Sequence, residues 1–445
     1  MKTPQVVASA LLIVTLLLQA VRPQQRLLVV TLGAGLAALS TSLAGLGTAA
    51  QLLSDVPWDV LVILVALGLL TQVFVESRVF GVLAAASARR SGAEPMAVLL
   101  LFAGVMYLVS ALANNLTALL LVLPVLLTLL GLLTVDQRYL RWTLGILLVS
   151  CNLGGASSPI GDFPAILLLG QGSMSFTAYL ACAAPPTVVA LLLLLLVVQV
   201  AVRPARGLEA DPLARRVSVA VMGALHRNVR LDGRAFSVPA LALGAMLAAW
   251  VVVPRESGLT PELIAWLGVG VALLASPARG EHLLRRGVDV EATLFLLCLF
   301  VMVAAVRRTG VFQEVAAGLA GLPLSPVLQL VLFLLLAGLL TGLFSAGPSM
   351  AALLDVATSL AQRLPPHAVY VGLALSVCAG SSLFLTAATS GPMAQALTER
   401  AGLRDAEGRP LHFGFAEFLP VGLLCFAVIQ AVAIAWSLLA IGLSG

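Results

Sequence analysis

Long apolar runs without a charged residue constrain this chain more than any other feature of its sequence. Val188–Val202 and Leu328–Leu340 are two such runs, and each contains one polar side chain, a glutamine. They approach the ~20 residues that a helix needs to cross a ~30 Å hydrocarbon core. Membrane spans are helices or closed barrels, because lipid leaves no backbone group unbonded. Barrel strands alternate apolar and polar residues, so these continuous runs predict an all-α polytopic membrane protein.

The composition excludes a water-soluble globule. Of the 445 residues, 60% are hydrophobic and only 10% are charged, whereas soluble domains carry about 25% charged residues. The formal net charge of +5 does not indicate nucleic acid binding, because the arginines lie in short segments between apolar runs, as in cytoplasmic loops. We therefore expect the lipid bilayer as a partner, no nucleic acid, and a location in a prokaryotic inner membrane.

The sequence contains no pattern that supports catalysis or a resident cofactor. It has no Gly-x-x-x-x-Gly-Lys-Ser/Thr motif for a nucleotide, and no nucleophile–base pair or set of metal ligands. Its five cysteines lie in apolar segments without a Cys-x-x-Cys pair, which predicts small core residues. We expect a protein that is not an enzyme and has no cofactor, apart from bound Na+ or a proton used for coupling.

Two segments about 230 residues apart carry the same pattern and indicate an internal duplication. They are LGLLTQVFVESRVFGVLAAASARRSG from Leu67 and LCLFVMVAAVRRTGVFQEVAAGLAG from Leu297. Each segment consists, in order, of an apolar span, a short charged stretch, the dipeptide Val-Phe and an Ala-rich segment. We predict a first repeat at 1–202, a cytoplasmic linker at 203–234 and a second repeat at 235–445. An odd number of crossings in each repeat would invert one relative to the other, as in many transporters.

Each predicted repeat has two places where polar, Gly or Pro residues interrupt an apolar run. We predict a re-entrant hairpin with its tip near 113–115 and a broken helix near 152–162, then a second tip near 345–349 and a second broken helix near 380–390. Breaks within a span free backbone groups that lipid cannot satisfy, so they line protein-buried or watery cavities. Paired breaks in two repeats indicate the binding site of a transporter.

The polar and glycine residues at these breaks are the candidate ligands of a substrate or ion. Amides and hydroxyls both donate and accept hydrogen bonds, so they suit a cation or a neutral, hydrogen-bonding solute. The set comprises Asn114, Asn115, Thr117, Asn152, Gly154, Gly155, Ser157, Ser158, Asp162, Ser345, Ser349, Ser381, Ser382, Thr386 and Thr389. The alternatives are that Asn114 and Asn115 only join helices through hydrogen bonds, and that the glycines only allow close helix packing.

Two carboxylates within apolar segments, Asp162 and Asp355, are the candidates for coupling transport to an ion gradient. A carboxylate in a span is costly unless it is protonated, paired or cation-bound. The alternative role of Asp162 is to cap the apolar helix that follows, since Asp is a favoured N-cap. The alternative role of Asp355 is to cap or pair within the bundle. Arg307 and Arg308 are interpreted as interfacial anchors, and their predicted place on the outer side violates the positive-inside rule.

Two segments carry a family resemblance: SALANNLTALLLVLP from Ser110 and NLGGASSPIGDFPAILL from Asn152. They resemble the ion transporter superfamily, in particular arsenite permeases and NhaD-type sodium/proton antiporters. The resemblance implies two hairpins that enter from opposite sides, broken helices beside them, substrate between the tips, and an elevator-type motion, often in a homodimer. The chain departs from NhaD-type antiporters at both tips, because neutral Asn114 and Ser345 stand where that group commonly carries acids.

These observations predict an ion-coupled secondary transporter for a small ion, an oxyanion or oxyacid, or a small carboxylate. The alternatives are a passive, channel-like permease of the same fold and a dicarboxylate- or citrate-type sodium symporter. The substrate, the coupling ion and the direction of transport stay open at this point.

Overall fold

The computed structural model describes residues 3–21, 25–170, 173–208, 212–225, 231–253, 258–274, 277–344, 346–388 and 390–444. Two predicted site residues, Ser345 and Thr389, lie outside these described residues. Within them the regular structure is helical apart from an isolated antiparallel bridge between Arg404 and Pro410.

The first half of the chain is a series of helices joined by short turns. They are α1 (Thr3–Val21), α2 (Arg26–Leu43), α3 (Ala49–Ser54), α4 (Trp58–Glu76), α5 (Val79–Arg90), α6 (Pro95–Leu112), α7 (Asn115–Leu133), α8 (Gln137–Ser157), α9 (Phe163–Gly170) and α10 (Phe176–Val197), which a π-helical turn extends (Val198–Val202).

The second half follows a helix in the linker, α11 (Pro212–Leu225). Its helices are α12 (Gly233–Val252), α13 (Pro261–Leu274), α14 (Pro277–Arg286), α15 (Val290–Arg308), α16 (Val311–Ala320), α17 (Pro326–Phe344), α18 (Ala346–Ala361), α19 (Pro366–Ser381), α20 (Gly391–Ala401) and α21 (Phe415–Ser444).

Side-chain oxygens cap the N-termini of several of these helices. The carboxylate of Glu94 accepts from the first turn of α6, which also begins with proline, and Asp136 Oδ1 accepts from Tyr139 N at 2.6 Å to begin α8. Ser175 does the same for α10 through Ala178 N at 3.2 Å. These bonds satisfy N–H groups that the helix leaves unpaired at its N-terminus.

The same bend occurs in both halves between a long span and a short helix. Arg78 joins α4 to α5 with a φ of 62°, and Gly310 joins α15 to α16 with a φ of 82°. This left-handed conformation suits Gly, whereas it strains a residue with a Cβ such as Arg78. The second bend turns the chain by 65°.

Six helices in the described part of the chain are long and apolar enough to cross a membrane, or seven if α15 and α16 count as one bent span. Trp58–Glu76 and Phe415–Leu443 are among them. Only 44% of the residues in the apolar stretch of Phe415–Leu443 are buried inside the protein, so the others face outward wholly or in part. An outward-facing apolar surface of this extent needs lipid. The prediction of an all-helical polytopic membrane protein is therefore confirmed.

Packing divides the helices into two bodies. The first body consists of α1–α4 and α12–α15, in which α2 packs against α15 and α13 packs against α4. The second body consists of α6–α10 and α17–α21, with α5, α11 and α16 against its hairpins. Each body thus takes helices from both halves of the chain. The two bodies touch through α4 with α9, α15 with α18, α1 with α17 and α10 with α12.

The segment 203–234, which the sequence predicts to be a linker, contains α11, and this helix packs against α5 and α7. One feature departs from the sequence interpretation. Arg307 and Arg308 are not free anchors, because they form ion pairs with Asp355 at 2.8 Å and with Asp55 at 2.6 Å. Pairing with a carboxylate lowers the cost of a charged side chain in or beside a membrane span.

Candidate functional site

The first hairpin turns within two residues. Ala113 and Asn114 are both extended, and α6 and α7 pack against each other on either side of them. Asn114 Oδ1 accepts a hydrogen bond from Thr117 N at 2.8 Å and so caps α7. The structure therefore gives Asn114 and Thr117 a role in shaping the tip.

Asn115 lies at the centre of a polar cluster beside this tip. Its Nδ2 donates to Asp162 Oδ2 at 3.2 Å. The Ser110 hydroxyl lies 2.6 Å from Asn115 Oδ1 and 2.7 Å from the Cys151 carbonyl oxygen. Asp162 has a further interaction besides the one with Asn115. Hydrogen bonds around Asn115 thus join the end of α6, the start of α7, Cys151 of α8 and the segment before α9, and we call Ser110, Asn115 and Asp162 the first-half cluster.

Two glycines of α8 allow this helix to pack closely against α6 and the first-half cluster. A Cβ on Gly155 would lie 2.5 Å from Asn115 Oδ1 and 3.1 Å from Asp162 Cβ, and one on Gly154 would lie 2.2 Å from the Tyr107 carbonyl oxygen. Real Cβ atoms essentially never come closer than 3.0 Å to such atoms. Gly154 and Gly155 therefore allow close helix packing and at the same time make room for the cluster.

The irregular segment after α8 covers residues 158–162, so the helix continues through most of the predicted break at 152–162. The Ser157 hydroxyl donates to the Gly154 carbonyl oxygen at 2.7 Å, and the Ser158 hydroxyl donates to the Ala111 carbonyl oxygen. Both hydroxyls are buried and their donors are used within the fold. The Ser158 bond joins the irregular segment to the end of α6 beside the hairpin tip, whereas the Ser157 bond lies within α8.

Asn152 joins the two halves of the chain. Its Nδ2 donates to the Ser382 hydroxyl at 3.1 Å and lies 3.3 Å from the Ser381 carbonyl oxygen. The hydroxyls of Ser381 and Ser382 in turn donate to the Cys378 carbonyl oxygen, each at 2.9 Å. The C-terminal part of α8 and the end of α19 are therefore in direct contact through buried polar groups.

The second half repeats the backbone packing of the first but not its chemistry. A Cβ on Gly380 would lie 2.1 Å from the Gly338 carbonyl oxygen and 2.5 Å from Thr341 Cβ, which matches the fit of Gly154 against α6. However, α18 begins with Ala346, whereas α7 begins with Asn115. The start of α18 therefore has no amide like the one that holds Asp162.

Two buried hydroxyls near the predicted breaks of the second half have no hydrogen-bond partner among the described residues. Ser349, in the first turn of α18, is 3% exposed, and Ser390, just before α20, is fully buried. Ser390 occupies the N-cap position of α20 without capping it, and it lies beside the Cys151 thiol without a well-formed hydrogen bond. An unpaired buried hydroxyl is costly, so these two groups are suited to bind a solute.

Two further predicted residues, Thr386 and Asp355, lie outside this arrangement. Thr386 is exposed, and none of the hydrogen bonds described above reaches it. Asp355 lies in α18 and binds Arg307 through both carboxylate oxygens, at 2.8 and 2.9 Å. Of the two coupling candidates, only Asp162 therefore lies in the cluster.

Sequence reasoning missed Ser110 and Ser390 as members of the site. Both lie in segments that the sequence singled out, but the sequence does not show whether a buried hydroxyl has a hydrogen-bond partner or which partner it has. No group of three or more His, Cys, Asp or Glu side chains that could hold a metal occurs among the described residues. The hydrogen bonds given above for this site involve no Arg, Lys or His side chain, and Asp162 has a further interaction besides them.

Comparison with known proteins gives the family. The model of the CitMHS family, described as citrate transporter, matches residues 10–256 and 241–442. The chain belongs to this family. It is accordingly a secondary transporter and a multi-pass integral membrane protein, and this family membership favours a protein that is not an enzyme.

Relatives of this CitMHS protein include transporters without an assigned substrate. It is 27% identical over 357 residues to "Uncharacterized transporter Rv2685" of Mycobacterium tuberculosis, covering 78% of this chain and 80% of the relative. It is 25% identical over 408 residues to "Magnetosome protein MamN" of Paramagnetospirillum magneticum, covering 89% and 90%. The finer resemblance to arsenite permeases and NhaD-type antiporters stays a prediction.

The fold is similar to that of a solved membrane transporter. The crystal structure of the Alcanivorax borkumensis YdaH transporter superposes with a TM-score of 0.53 at 17% identity, covering 92% of this chain and 89% of that one. At this identity the similarity concerns the fold alone.

Proposed function

We propose that this CitMHS protein is an ion-coupled secondary transporter that carries a small carboxylate together with a cation or a proton. The observation that carries this proposal is the charge of the site. It contains the Asp162 carboxylate together with neutral donors and acceptors, namely the amides of Asn115 and Asn152 and the hydroxyl of Ser390 beside Cys151. Ser349, whose buried hydroxyl has no partner among the described residues, is included as a predicted ligand.

A bare polyanion such as citrate would be repelled by Asp162 in this site. Charges interact strongly where water is excluded, so a carboxylate substrate must arrive protonated or with a cation. Hydroxyls and amides then bind the oxygens of the substrate, while Asp162 faces the cation or exchanges a proton. A neutral oxyacid fits the same donors and acceptors, and it is the substrate class that the resemblance to arsenite permeases suggests.

We further propose that the two halves are inverted repeats and that the second body moves as an elevator against the first. The matching order of helices and the reciprocal packing of α2 on α15 and α13 on α4 support the duplication. The site lies within the second body, which supports movement of that body with its solute. A homodimer and a place in the bacterial inner membrane belong to the same proposal.

Flux measurements in proteoliposomes test the transport proposal. We expect labelled citrate to enter saturably in the presence of Mg2+ or at acidic external pH, and uptake to stop when ionophores collapse the proton and sodium gradients. Sulfate, sodium and arsenite are tested in parallel. Saturable arsenite transport without citrate transport would replace the carboxylate with a neutral oxyacid, and flux that neither saturates nor depends on a gradient would indicate a passive permease.

A further inference from the structure

The ion pair between Arg307 and Asp355 connects the two bodies of the protein. Arg307 is at the C-terminal end of α15, in the first body, and Asp355 is in the middle of α18, in the second body. Arg307 Nε lies 2.8 Å from Asp355 Oδ2, and its Nη2 lies 2.9 Å from Oδ1. This two-point geometry is stronger and more directional than a single contact.

The neighbouring arginine, Arg308, makes an ion pair within a single body. Arg308 Nε binds Asp55 Oδ2 at 2.6 Å, and Arg308 also reaches the Gln51 carbonyl oxygen at 3.4 Å. Asp55 directly follows α3, so this pair lies entirely within the first body. Arg307 thus pairs across the boundary between the two bodies, whereas the adjacent Arg308 pairs within the first body. Arg308 therefore provides a control for Arg307.

Among the described ion pairs, the pair Arg307–Asp355 is the one that crosses the boundary; the others lie within one body. Its side chains are 36% and 23% exposed, so water screens it less than a pair on an open surface. An ion pair is lost once its N–O distance exceeds about 4 Å. A sliding movement of one body against the other by more than an ångström or two therefore breaks it.

We propose that the Arg307–Asp355 pair is a latch that stabilises one end state of the transport cycle and opens in the other. This inference rests on the proposed elevator movement. The latch favours the arrangement seen here, in which α15 and α18 are in contact. It acts on the population of the two states rather than on binding, because Asp355 lies apart from the first-half cluster and from Asn152.

Spin-label distances between the bodies test the latch without a substrate. One label is placed at Leu43→Cys on exposed α2, and the other at Gln362→Cys after α18. Cys182 and Cys298, which are not fully buried, are replaced by Ala. Two end states give two distance populations, and the one that matches this structure is the latched state.

We expect Asp355→Asn and Arg307→Gln each to reduce the latched population about fivefold relative to the other state. The charge swap Arg307→Asp with Asp355→Arg should restore most of it, while Arg308→Gln and Asp55→Asn should leave the ratio unchanged. Size-exclusion profiles and thermal unfolding check that each variant is folded.

The outcomes separate the latch from the elevator. Two populations with an unchanged ratio in Asp355→Asn would overturn the latch and leave the elevator standing. Equal shifts from the Arg308 and Arg307 variants would also overturn it, because the effect would not depend on crossing the boundary. A single distance in the wild type and in every variant would contradict the elevator movement, and the latch with it.

Discussion

The side-chain amide of Asn115 donates a hydrogen bond to the carboxylate of Asp162 across 3.2 Å, although 47 residues separate them in the chain. This bond ties the tip of the first hairpin to the break before α9. A neutral donor can hold a carboxylate without neutralising it, which is compatible with the proposed role of Asp162 in binding a cation or a proton. The relationship makes Asp162 the first residue to test for coupling.

We expect Asp162→Asn to abolish the response of transport to a proton or sodium gradient while substrate exchange at equilibrium continues. Asparagine keeps the shape of the side chain and can still accept from Asn115, but it neither titrates nor carries charge. Gradient-driven uptake and counterflow in proteoliposomes measure the two activities separately. Unchanged gradient and pH dependence in the variant would leave Asp162 with the role of a helix cap for α9.

Asn152→Ala should abolish transport and lower the free energy of unfolding by about 1–2 kcal/mol, because it removes the bonds to Ser381 and Ser382 between the halves. Transport assays and thermal unfolding in detergent measure the two effects. Asn114→Ala is the comparison, since Asn114 caps α7. Asn114→Asp, which also caps, should recover the stability that Asn114→Ala loses, about 1 kcal/mol. Normal transport by Asn152→Ala would reduce this amide to a structural contact.

Gly155→Ala should displace Asn115 from Asp162 and strongly reduce transport, because the new Cβ would lie 2.5 Å from Asn115 Oδ1. Overpacking of this kind costs about 1–3 kcal/mol of stability. Gly104→Ala on α6 is the matched control, since a Cβ there meets nothing within 4 Å. Full activity in Gly155→Ala would show that the geometry of the first-half cluster is not critical for transport.

Ser349→Ala and Ser390→Ala should each raise the KM about fivefold with little change in thermal stability. Neither hydroxyl has a partner among the described residues, so we expect its removal to lose a bond only to the solute, worth about 1 kcal/mol. Ser437→Ala is the contrasting control, because its hydroxyl donates to the Ala368 carbonyl oxygen at 2.9 Å away from the site. A lower stability with an unchanged KM in the Ser349 or Ser390 variant would exclude the hydroxyl from binding.

The sequence by itself determined the class of the fold and the turn between α6 and α7. Apolar runs such as Leu328–Leu340 can only be spans, because lipid excludes unpaired backbone groups. Polar residues in such runs are costly, and Asn114, Asn115, Asn152 and Asp162 were all singled out in this way, although α8 continues past Asn152 to Ser157. These signals are local, so a single sequence carries them.

Only the tertiary structure decided which of these residues meet and what each does. Asn114 and Asn115 are neighbours of the same type, yet one caps α7 and the other holds Asp162, because the turn at the hairpin tip points them in different directions. Asp355 and Asp162 look alike in sequence, and only packing places one against Arg307 and the other beside Asn115. Such pairings join segments that are far apart in the chain, so they follow from the way the helices pack and not from the local sequence.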